Sequence, residues 1–176
     1  VLLNVSALEA RKGTRRALLA LGRLRERYPR LRYLILGHGD QEASLRALTH
    51  DLGLDDRVTF AGESPRLEEF YNLADVFVML PDDEATSIAC HEAMSCGLPV
   101  MAANRGGFRE SVPPGAGLLV DPDRPSDVDT ALAQLIESPA LRAQLGAVAR
   151  ANILAHHTWD QVAARFLEVV ACPSPS

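Results

Sequence analysis

Two glutamates, Glu84 and Glu92, stand eight residues apart in the stretch EATSIACHE, which closely follows an apolar run and a proline. Small side chains come directly after the first glutamate, and the pattern predicts a helix that starts near Ser87. A helix N-terminus has free N–H groups and the positive end of a dipole, and both favour phosphate. Glu84 would then hold the hydroxyls of a sugar, and Glu92 the diol of a ribose. Spacing alone leaves open a plainer alternative, a helix-opening acid followed by an ordinary helical glutamate.

Lys12 is the only lysine of the chain, since the other members of its 18 lysines and arginines are all arginine. It lies in the segment RKG, between the first apolar run and the first helical pattern. An ammonium group at that place can reach a phosphate as a point charge, while the helix N-terminus supplies backbone donors. The alternative is a solvated lysine on a surface loop.

Three further polar segments are weaker candidates. The segment GHG at 37–39 lets the backbone turn sharply and approach a ligand, but it lacks the third glycine of a dinucleotide fingerprint. His38 is either a ligand contact or an exposed loop histidine. The pair GG at 106–107 is either a helix start or a plain turn. Asp82 and Asp83 are adjacent carboxylates without further ligands, so we expect a solvated loop and no metal site.

The totals exclude several classes of protein. The chain has 176 residues, of which 47% are hydrophobic, and this is enough for one domain with a sizeable core. The net charge is −5 without a basic stripe, so no nucleic-acid partner is expected. No apolar run approaches the roughly 20 residues of a membrane span. The three cysteines (Cys90, Cys96 and Cys172) form no CxxC pair, and we expect unpaired thiols.

Six apolar runs of strand length recur along the chain, and they are continuous, as expected for strands covered on both faces. They are LLNVSA at 2–7, LRYLILG at 31–37, RVTFAG at 57–62, DVFVML at 75–80, LPVMAAN at 98–104 and GLLVD at 117–121. Helical patterns separate them at 13–28, 41–52, 65–73, 87–96 and 107–112. Three more helical patterns follow at 125–137, 139–155 and 158–171.

This alternation predicts an α/β fold, a doubly wound and mostly parallel sheet with a helical C-terminal tail. Residues 1–171 are expected to form one domain, and residues 172–176 (CPSPS) a disordered tail. Ligands of such sheets bind beyond the carboxyl ends of the strands. The loops that hold Lys12, GHG, EATS and GG all follow strands, and they are therefore expected to meet at one edge.

The chain resembles the C-terminal, donor-binding domain of family 4 (group 1) retaining glycosyltransferases, which have the GT-B fold. EATSIACHE matches the E-x7-E motif of that family. The resemblance extends over nearly the whole chain, in the same order and spacing. It includes RKG at 11–13, GHG at 37–39, DRVTFAG at 56–62, ADVFVMLP at 74–81, EAMSCGLPVMA at 92–102, GGFRE at 106–110, GLLVDP at 117–122 and HTWDQVAARF at 157–166.

The resemblance implies a site for a nucleotide-diphosphate sugar and a sugar transfer that keeps the anomeric configuration, with no metal or other cofactor. The catalytic residues it implies are Glu84, on the hydroxyls of the donor sugar, and Lys12, on the diphosphate. The donor-binding residues it implies are Lys12, Gly37, His38, Thr86, Ser87, Ile88 and Glu92. Among these, the amides of Ser87 and Ile88 would meet the phosphate, and Glu92 the ribose.

The chain departs from the family pattern in one place that bears on catalysis. The family has Gly-Arg ahead of its lysine, where this chain has Ser6 and Ala7. One of two cations that face the phosphates is therefore missing, unless Arg11 replaces it. This departure favours an alternative, a non-catalytic module that binds a nucleotide or glycan. A second alternative is another GT-B enzyme, such as a nucleotide-sugar epimerase.

The resemblance also implies an N-terminal domain that binds the acceptor, and that domain is absent from these residues. We therefore expect the chain alone to be inactive in transfer. The expected partners are the nucleotide-sugar donor and that N-terminal domain. The acceptor would be a glycan, a lipid or a small molecule. The expected location is cytoplasmic, with peripheral association to the inner face of the membrane through the missing domain as a further expectation.

Overall fold

Six short apolar segments form one parallel sheet in the computed structural model, which describes residues 1–171. Each observed strand lies inside a predicted run, so the sequence located all six strands and overestimated the length of each. Burial on both faces explains why the runs are continuous rather than alternating. The strands are β1 (Leu2–Val5), β2 (Tyr33–Leu36), β3 (Val58–Gly62), β4 (Val76–Met79), β5 (Val100–Ala103) and β6 (Gly117–Val120).

Eight α-helices connect or follow these strands. Each of the first five connections between strands contains one of them, and three more complete the described part of the chain. They are α1 (Thr14–Leu24), α2 (Glu42–Asp51), α3 (Leu67–Leu73), α4 (Ile88–Ser95), α5 (Phe108–Ser111), α6 (Pro125–Glu137), α7 (Pro139–His156) and α8 (Trp159–Ala171). A 3-10 turn, Ala10–Lys12, precedes α1. The predicted disordered tail, 172–176, lies outside the described residues.

The strand order across the sheet is β3-β2-β1-β4-β5-β6, and every neighbouring pair is parallel. The predicted fold class is confirmed: a doubly wound, Rossmann-like sheet with a helical C-terminal tail. The chain runs outward from β1 to β3 and then returns to the centre at β4. β1 and β4 are therefore neighbours whose connections leave in opposite directions, and such a switch point opens a crevice at the carboxyl ends of the strands.

Two hydrophobic cores cover the two faces of the sheet. One core contains Leu18 and Leu21 of α1, together with side chains of α2 and α6. The other contains Met94 of α4 and Phe108 of α5, together with side chains of α3 and α7. Burial of this apolar surface stabilises the three layers, and it fixes α1 and α4, the helices that follow the two central strands.

The helix α4 is held at its C-terminal end by α7. A Cβ on Gly146 would lie 2.0 Å from the carbonyl oxygen of Gly97, so the two backbones touch only because residue 146 is glycine. The guanidinium of Arg150 also donates to the carbonyl of Ser95, at 2.7 Å. These contacts keep the opposite end of α4, its N-terminus, at a fixed position over the sheet.

Two cysteines of the described residues, Cys90 and Cys96, are free, which confirms the prediction for them. Cys172 lies outside the described residues. Burial raises the pKa of the Cys90 thiol to about 12, so this thiol stays protonated and packs as a small apolar group. None of the helices within residues 1–171 combines the length and the apolar character needed to cross a membrane.

Candidate functional site

The loop after β1 lies over the end of β4, because Gly13 allows the two backbones to approach. Gly13 has φ +73°, and a Cβ there would lie only 1.8 Å from the carbonyl oxygen of Leu80. The side-chain amide of Asn4 in β1 adds a second contact with β4, since it donates to the carbonyl of Val78 at 2.9 Å. Any side chain at position 13 would therefore separate the loop from β4, and with it Lys12.

Lys12 and Glu84 form an ion pair at this junction. The Lys12 ammonium donates to the Glu84 carboxylate, and each side chain is only 13% exposed. Both were predicted from sequence as catalytic residues, and the structure brings them together although 72 positions separate them in the chain. The pair sets a cation and an acceptor side by side at the mouth of the crevice.

The N-terminus of α4 opens next to this pair. The hydroxyl of Ser87 caps the helix by accepting the amide of Cys90 at 3.2 Å, and it donates to the sulfur of Met79 at 3.3 Å. Within residues 1–171, the amides of Ser87 and Ile88, which were the two predicted phosphate contacts, have no acceptor, and neither has that of Ala89. Three backbone donors and the dipole of α4 therefore remain available to an anion.

The side chains around these amides leave the helix end accessible. Thr86 is exposed, and the Ile88 side chain is 65% exposed. Ser87, by contrast, is buried and has its hydroxyl turned into the fold. Of the predicted phosphate contacts in EATS, the structure thus leaves backbone groups rather than the Ser87 hydroxyl to face a ligand.

Two glycines support the Glu84 loop from the neighbouring strand. The amide of Gly107 donates to the carbonyl of Glu84 at 2.7 Å. A Cβ on Gly107 would lie 1.7 Å from the carbonyl oxygen of Ala85, and one on Gly106 would lie 2.4 Å from that of Glu84. The glycines at 106–107 therefore allow close backbone contact with the Glu84 loop, and they directly precede the single turn of α5.

Glu92 lies more than one turn inside α4 and contacts α3 rather than Glu84. Its carboxylate accepts the hydroxyl of Tyr71 at 2.8 Å. The Tyr71 ring is 2% exposed, and its burial, followed by the hydrogen bond to Glu92, raises the pKa of the phenol. Tyr71 therefore stays protonated and donates, which holds one carboxylate oxygen and leaves the other for a ligand.

Gly37 and His38 lie beyond the end of β2, apart from Lys12 and Glu84. Gly37 has φ +122°, and a Cβ there would lie 2.0 Å from the carbonyl oxygen of Ser6. Its place is thus set by close contact with the loop after β1. The imidazole of His38 is exposed, and its Nδ1 lies 3.3 Å from the carboxylate of Glu42.

A cavity of about 430 Å³ opens between the ends of β1, β2 and β3. Its walls combine apolar side chains with the backbone of two glycine turns. The residues that line it are Val5, Ser6, Ala7, Leu36, Gly37, His38, Gly62, Glu63, Ser64 and Leu67. The predicted residues therefore fall into two groups along one edge, with Lys12 and the EATS loop in one and the GHG turn in the other.

Arginines tie the remaining loops of this edge together. Arg16 of α1 donates to Asp82 at 2.6 Å and to Asp123 at 2.8 Å, and Arg105 also pairs with Asp123. Asp82 was predicted to be a solvated loop carboxylate, and it is 54% exposed but paired with Arg16. Across residues 1–171, no three His, Cys, Asp or Glu side chains lie close enough to hold a metal ion.

Arg11, which could replace the missing arginine of the family pattern, is turned to the surface. Its guanidinium lies 2.7 Å from the carboxylate of Glu9, and its side chain is 55% exposed. Ala7 is exposed as well and lines the cavity next to Ser6. In this conformation Lys12 is the cation at the N-terminus of α4, and Arg11 adds none.

Tyr71 and Arg16 position site residues, and the sequence did not predict either role. Tyr71 donates to Glu92, and Arg16 donates to Asp82. Tyr71 fits the apolar spacing of a helix that packs on the sheet, so its pattern predicts burial and gives no sign of a carboxylate partner. Arg16 is one of many arginines. The one sequence signal for Arg16 is its position in the first turn of α1, four residues after Lys12, which predicts that it lies near the site.

The family model described as "Glycosyl transferases group 1" matches residues 1–152 of the chain. Two curated proteins are similar over nearly all of it. The GDP-mannose-dependent alpha-(1-6)-phosphatidylinositol monomannoside mannosyltransferase of Mycobacterium tuberculosis (strain CDC 1551 / Oshkosh) is 34% identical over 174 residues, which are 93% of this chain and 45% of that protein. The D-inositol 3-phosphate glycosyltransferase of Acidothermus cellulolyticus is 35% identical over 181 residues, covering 96% of this chain and 40% of that protein.

A solved structure agrees with the fold. Sucrose-phosphate synthase from Thermosynechococcus elongatus superimposes with a TM-score of 0.88 at 28% identity, covering 96% of this chain and 44% of that one. The chain therefore spans less than half the length of these relatives.

Proposed function

The chain belongs to the group 1 glycosyltransferase family, and on this premise we propose that it is the C-terminal, donor-binding half of a family 4 retaining enzyme. Its ligand is a nucleotide-diphosphate sugar. The observation that carries the proposal is the meeting of Lys12 and Glu84 at the open N-terminus of α4. There a cation, three free amides and the carboxylate that we propose for the sugar lie at one helix end.

The diphosphate binds between Lys12 and the first turn of α4. The ammonium neutralises negative charge, and the amides of Ser87, Ile88 and Ala89 donate to phosphate oxygens. Charge on the diphosphate increases when the bond to the sugar breaks. The same groups therefore stabilise the transition state more than the bound donor, which is the condition for catalysis.

The two glutamates hold the two sugars of the donor. Glu84 accepts hydroxyls of the transferred sugar, because it lies in the loop beyond the helix end. Glu92 accepts the ribose hydroxyls through the oxygen that Tyr71 leaves free. The sugar passes to a glycan, lipid or small-molecule acceptor with its anomeric configuration kept.

Neither a metal ion nor another cofactor takes part in this proposal, since Lys12 and the helix dipole supply the positive charge that a divalent cation would otherwise bring. Transfer needs a second half that binds the acceptor and closes the crevice. The chain alone binds the donor and does not transfer it. We place the enzyme in the cytoplasm, with contact to the inner membrane face made by the acceptor-binding half. The similarity to a mannosyltransferase named for GDP-mannose supports a nucleotide-sugar donor.

A second candidate function is a module that binds a nucleotide or glycan without catalysis. Ala7 favours it, because the arginine of the family pattern is missing and Arg11 pairs with Glu9 instead of replacing it. The loss of one charged donor to a leaving diphosphate lowers the rate by about a hundredfold or more. Donor binding survives this loss, so both candidates predict the same ligand.

Titration calorimetry with a nucleoside diphosphate in the presence of EDTA tests the donor-binding role. Lys12→Ala should weaken binding about tenfold or more, because it removes the charge that faces the phosphates. Arg11→Ala is the matched control: it removes a neighbouring cation that pairs with Glu9, and it should change the affinity less than about twofold. Equal losses in the two variants, or a loss of binding caused by EDTA, would refute the proposed site.

A further inference from the structure

The segment that carries Glu84, residues 81–86 between β4 and α4, is held from outside. Across the part of the chain that the structure describes, none of its backbone groups bonds to another group of the same segment. The amide of Asp82 donates instead to the carbonyl of Arg11 at 2.8 Å. The carbonyl of Glu84 accepts the amide of Gly107 at 2.7 Å. The position of Glu84 therefore depends on the neighbouring loops.

An arginine stands at each side of this segment. On one side Arg16 of α1 donates to the carbonyl of Leu80 at 3.1 Å and to the carboxylate of Asp82 at 2.6 Å, so it holds the start of the segment. On the other side Arg105 directly precedes the glycines at 106–107, whose backbone touches the middle of the segment. Each arginine is thus attached to one support of the Glu84 segment.

Asp123, in the loop after β6, joins these two arginines. Its carboxylate accepts the guanidinium of Arg16 at 2.8 Å and also pairs with Arg105. These hydrogen bonds, that from Arg105 before that from Arg16, lower the pKa of the Asp123 carboxyl, which is therefore charged at neutral pH. A single exposed ion pair contributes little, but several charges in a network contribute more. Arg16, Asp123 and Arg105 together form a clamp across the Glu84 segment.

The helix α4 has supports that do not belong to this clamp. Cys90 and Met94 pack in the core below it, and its C-terminal end is held by Gly146 and Arg150 of α7. The amides at the start of α4 therefore stay in place when the clamp is broken, whereas the Glu84 segment loses a connection between its two sides.

We infer that Asp123 is a positioning residue of the donor site: by joining Arg16 to Arg105, it holds Glu84 where this carboxylate meets the donor sugar. The inference rests on the proposed function, because it takes Glu84 as the acceptor of sugar hydroxyls. Asp123 acts through the Glu84 segment and not on the donor itself. A carboxylate that is displaced by even a fraction of an ångström loses much of its hydrogen bond, so supporting residues of this kind decide how well a site works.

Calorimetric titration of the chain with GDP-mannose and GDP, and with UDP-glucose and UDP, tests this inference. The quantity compared is the sugar ratio, the affinity for the nucleotide sugar divided by that for the bare diphosphate, for the pair that the parent chain binds more tightly. Asp123→Asn should lower the sugar ratio about fivefold, because Glu84 is less well placed. Asp121→Asn is the matched control. It removes the same charge from the same loop, where Asp121 lies 3.5 Å from Arg105, and it leaves the link from Arg16 to Arg105 intact. It should change the sugar ratio less than about twofold.

The double variant Glu84→Gln/Asp123→Asn distinguishes positioning from a merely structural role. If Asp123 acts through Glu84, its replacement should leave the sugar ratio unchanged once residue 84 is glutamine, so the two losses do not add. A general loosening of the fold would instead lower the ratio equally in both backgrounds. Arg105→Gln breaks the clamp at its other end and should lower the ratio in the same way, so the test does not depend on the folding of one variant.

An unchanged sugar ratio in both Asp123→Asn and Arg105→Gln would overturn the role of Asp123 and leave the proposed function intact. Equal losses with Glu84 and with its glutamine variant would do the same. Failure of the parent chain to bind any of the four nucleotides would overturn the proposed function, and this inference with it.

Discussion

Replacing Glu84 by glutamine should tighten the binding of a bare nucleoside diphosphate. In the free protein the Glu84 carboxylate occupies the Lys12 ammonium, so an incoming diphosphate must compete for that cation. Glutamine keeps the shape of the side chain and removes its charge. The Lys12 ammonium can then bind phosphate without first giving up an ion pair, so the affinity for the diphosphate should rise.

The size of this effect follows from the burial of the pair. Exposed ion pairs contribute about 0.2–1 kcal/mol, and this pair stands near the upper limit because both side chains are only 13% exposed. A cost of about 1 kcal/mol corresponds to about a fivefold change in dissociation constant. A nucleotide sugar should gain less, since its sugar hydroxyls lose the carboxylate that accepts them.

Calorimetry of Glu84→Gln and Asp83→Asn distinguishes the loss of the Lys12–Glu84 ion pair from the loss of any one negative charge in this loop. Asp83 lies in the same loop, and its carboxylate forms no ion pair within residues 1–171. Asp83→Asn removes the same charge one residue away and should tighten binding less than about twofold. If Glu84→Gln bound the diphosphate no more tightly than Asp83→Asn, the competition between Glu84 and phosphate for Lys12 would be wrong.

Four other variants test separate parts of the structure. Glu92→Gln should weaken nucleoside diphosphate binding about tenfold and raise the Michaelis constant of a full-length enzyme more than it lowers turnover, while Tyr71→Phe should cost about threefold by calorimetry. Gly107→Ala should destabilise the chain by about 1–3 kcal/mol in chemical unfolding, because the new methyl group meets the carbonyl of Ala85 at 1.7 Å. Burial lowers the pKa of His91, whose Nε2 is buried without a partner in the described part of the chain. A histidine whose pKa is lower in the folded than in the unfolded state makes its full contribution to the free energy of unfolding above its unfolded pKa of about 6.5. This contribution is lost as the pH falls through the folded pKa. The unfolding free energy should therefore drop more between pH 7.5 and pH 5 in the parent than in His91→Phe, and equal slopes would exclude His91 as the cause.

Local signals predicted helices best where the chain marks both ends. The helix predicted at 125–137 is observed as Pro125–Glu137, since Pro125 fits the first turn and Ser138–Pro139 ends it. The helix predicted at 13–28 ends at Leu24 instead. Arg25 to Tyr28 carry no stop signal, while Pro29 disfavours helix in the residue before it and the chain turns early.

Topology explains which parts of the site were predictable. The carboxyl ends of parallel strands share one edge, so a loop after the first strand and a loop after the fourth meet once the two strands are neighbours. The contact of Lys12 with Glu84 follows from that rule. The hydrogen bond from Tyr71 to Glu92 does not, because it depends on how α3 packs beside α4, and apolar spacing describes only burial. The close approach of Gly107 to Ala85 is equally invisible in sequence, where GG reads as a turn.

The most direct test of the donor site is a crystal structure of the chain with a bound nucleoside diphosphate, prepared in EDTA. Phosphate oxygens should lie within hydrogen-bonding distance of the Lys12 ammonium and of the amides of Ser87, Ile88 and Ala89. Diphosphate density at any other place, or a metal ion needed to bridge it to Asp82 and Asp83, would contradict the account.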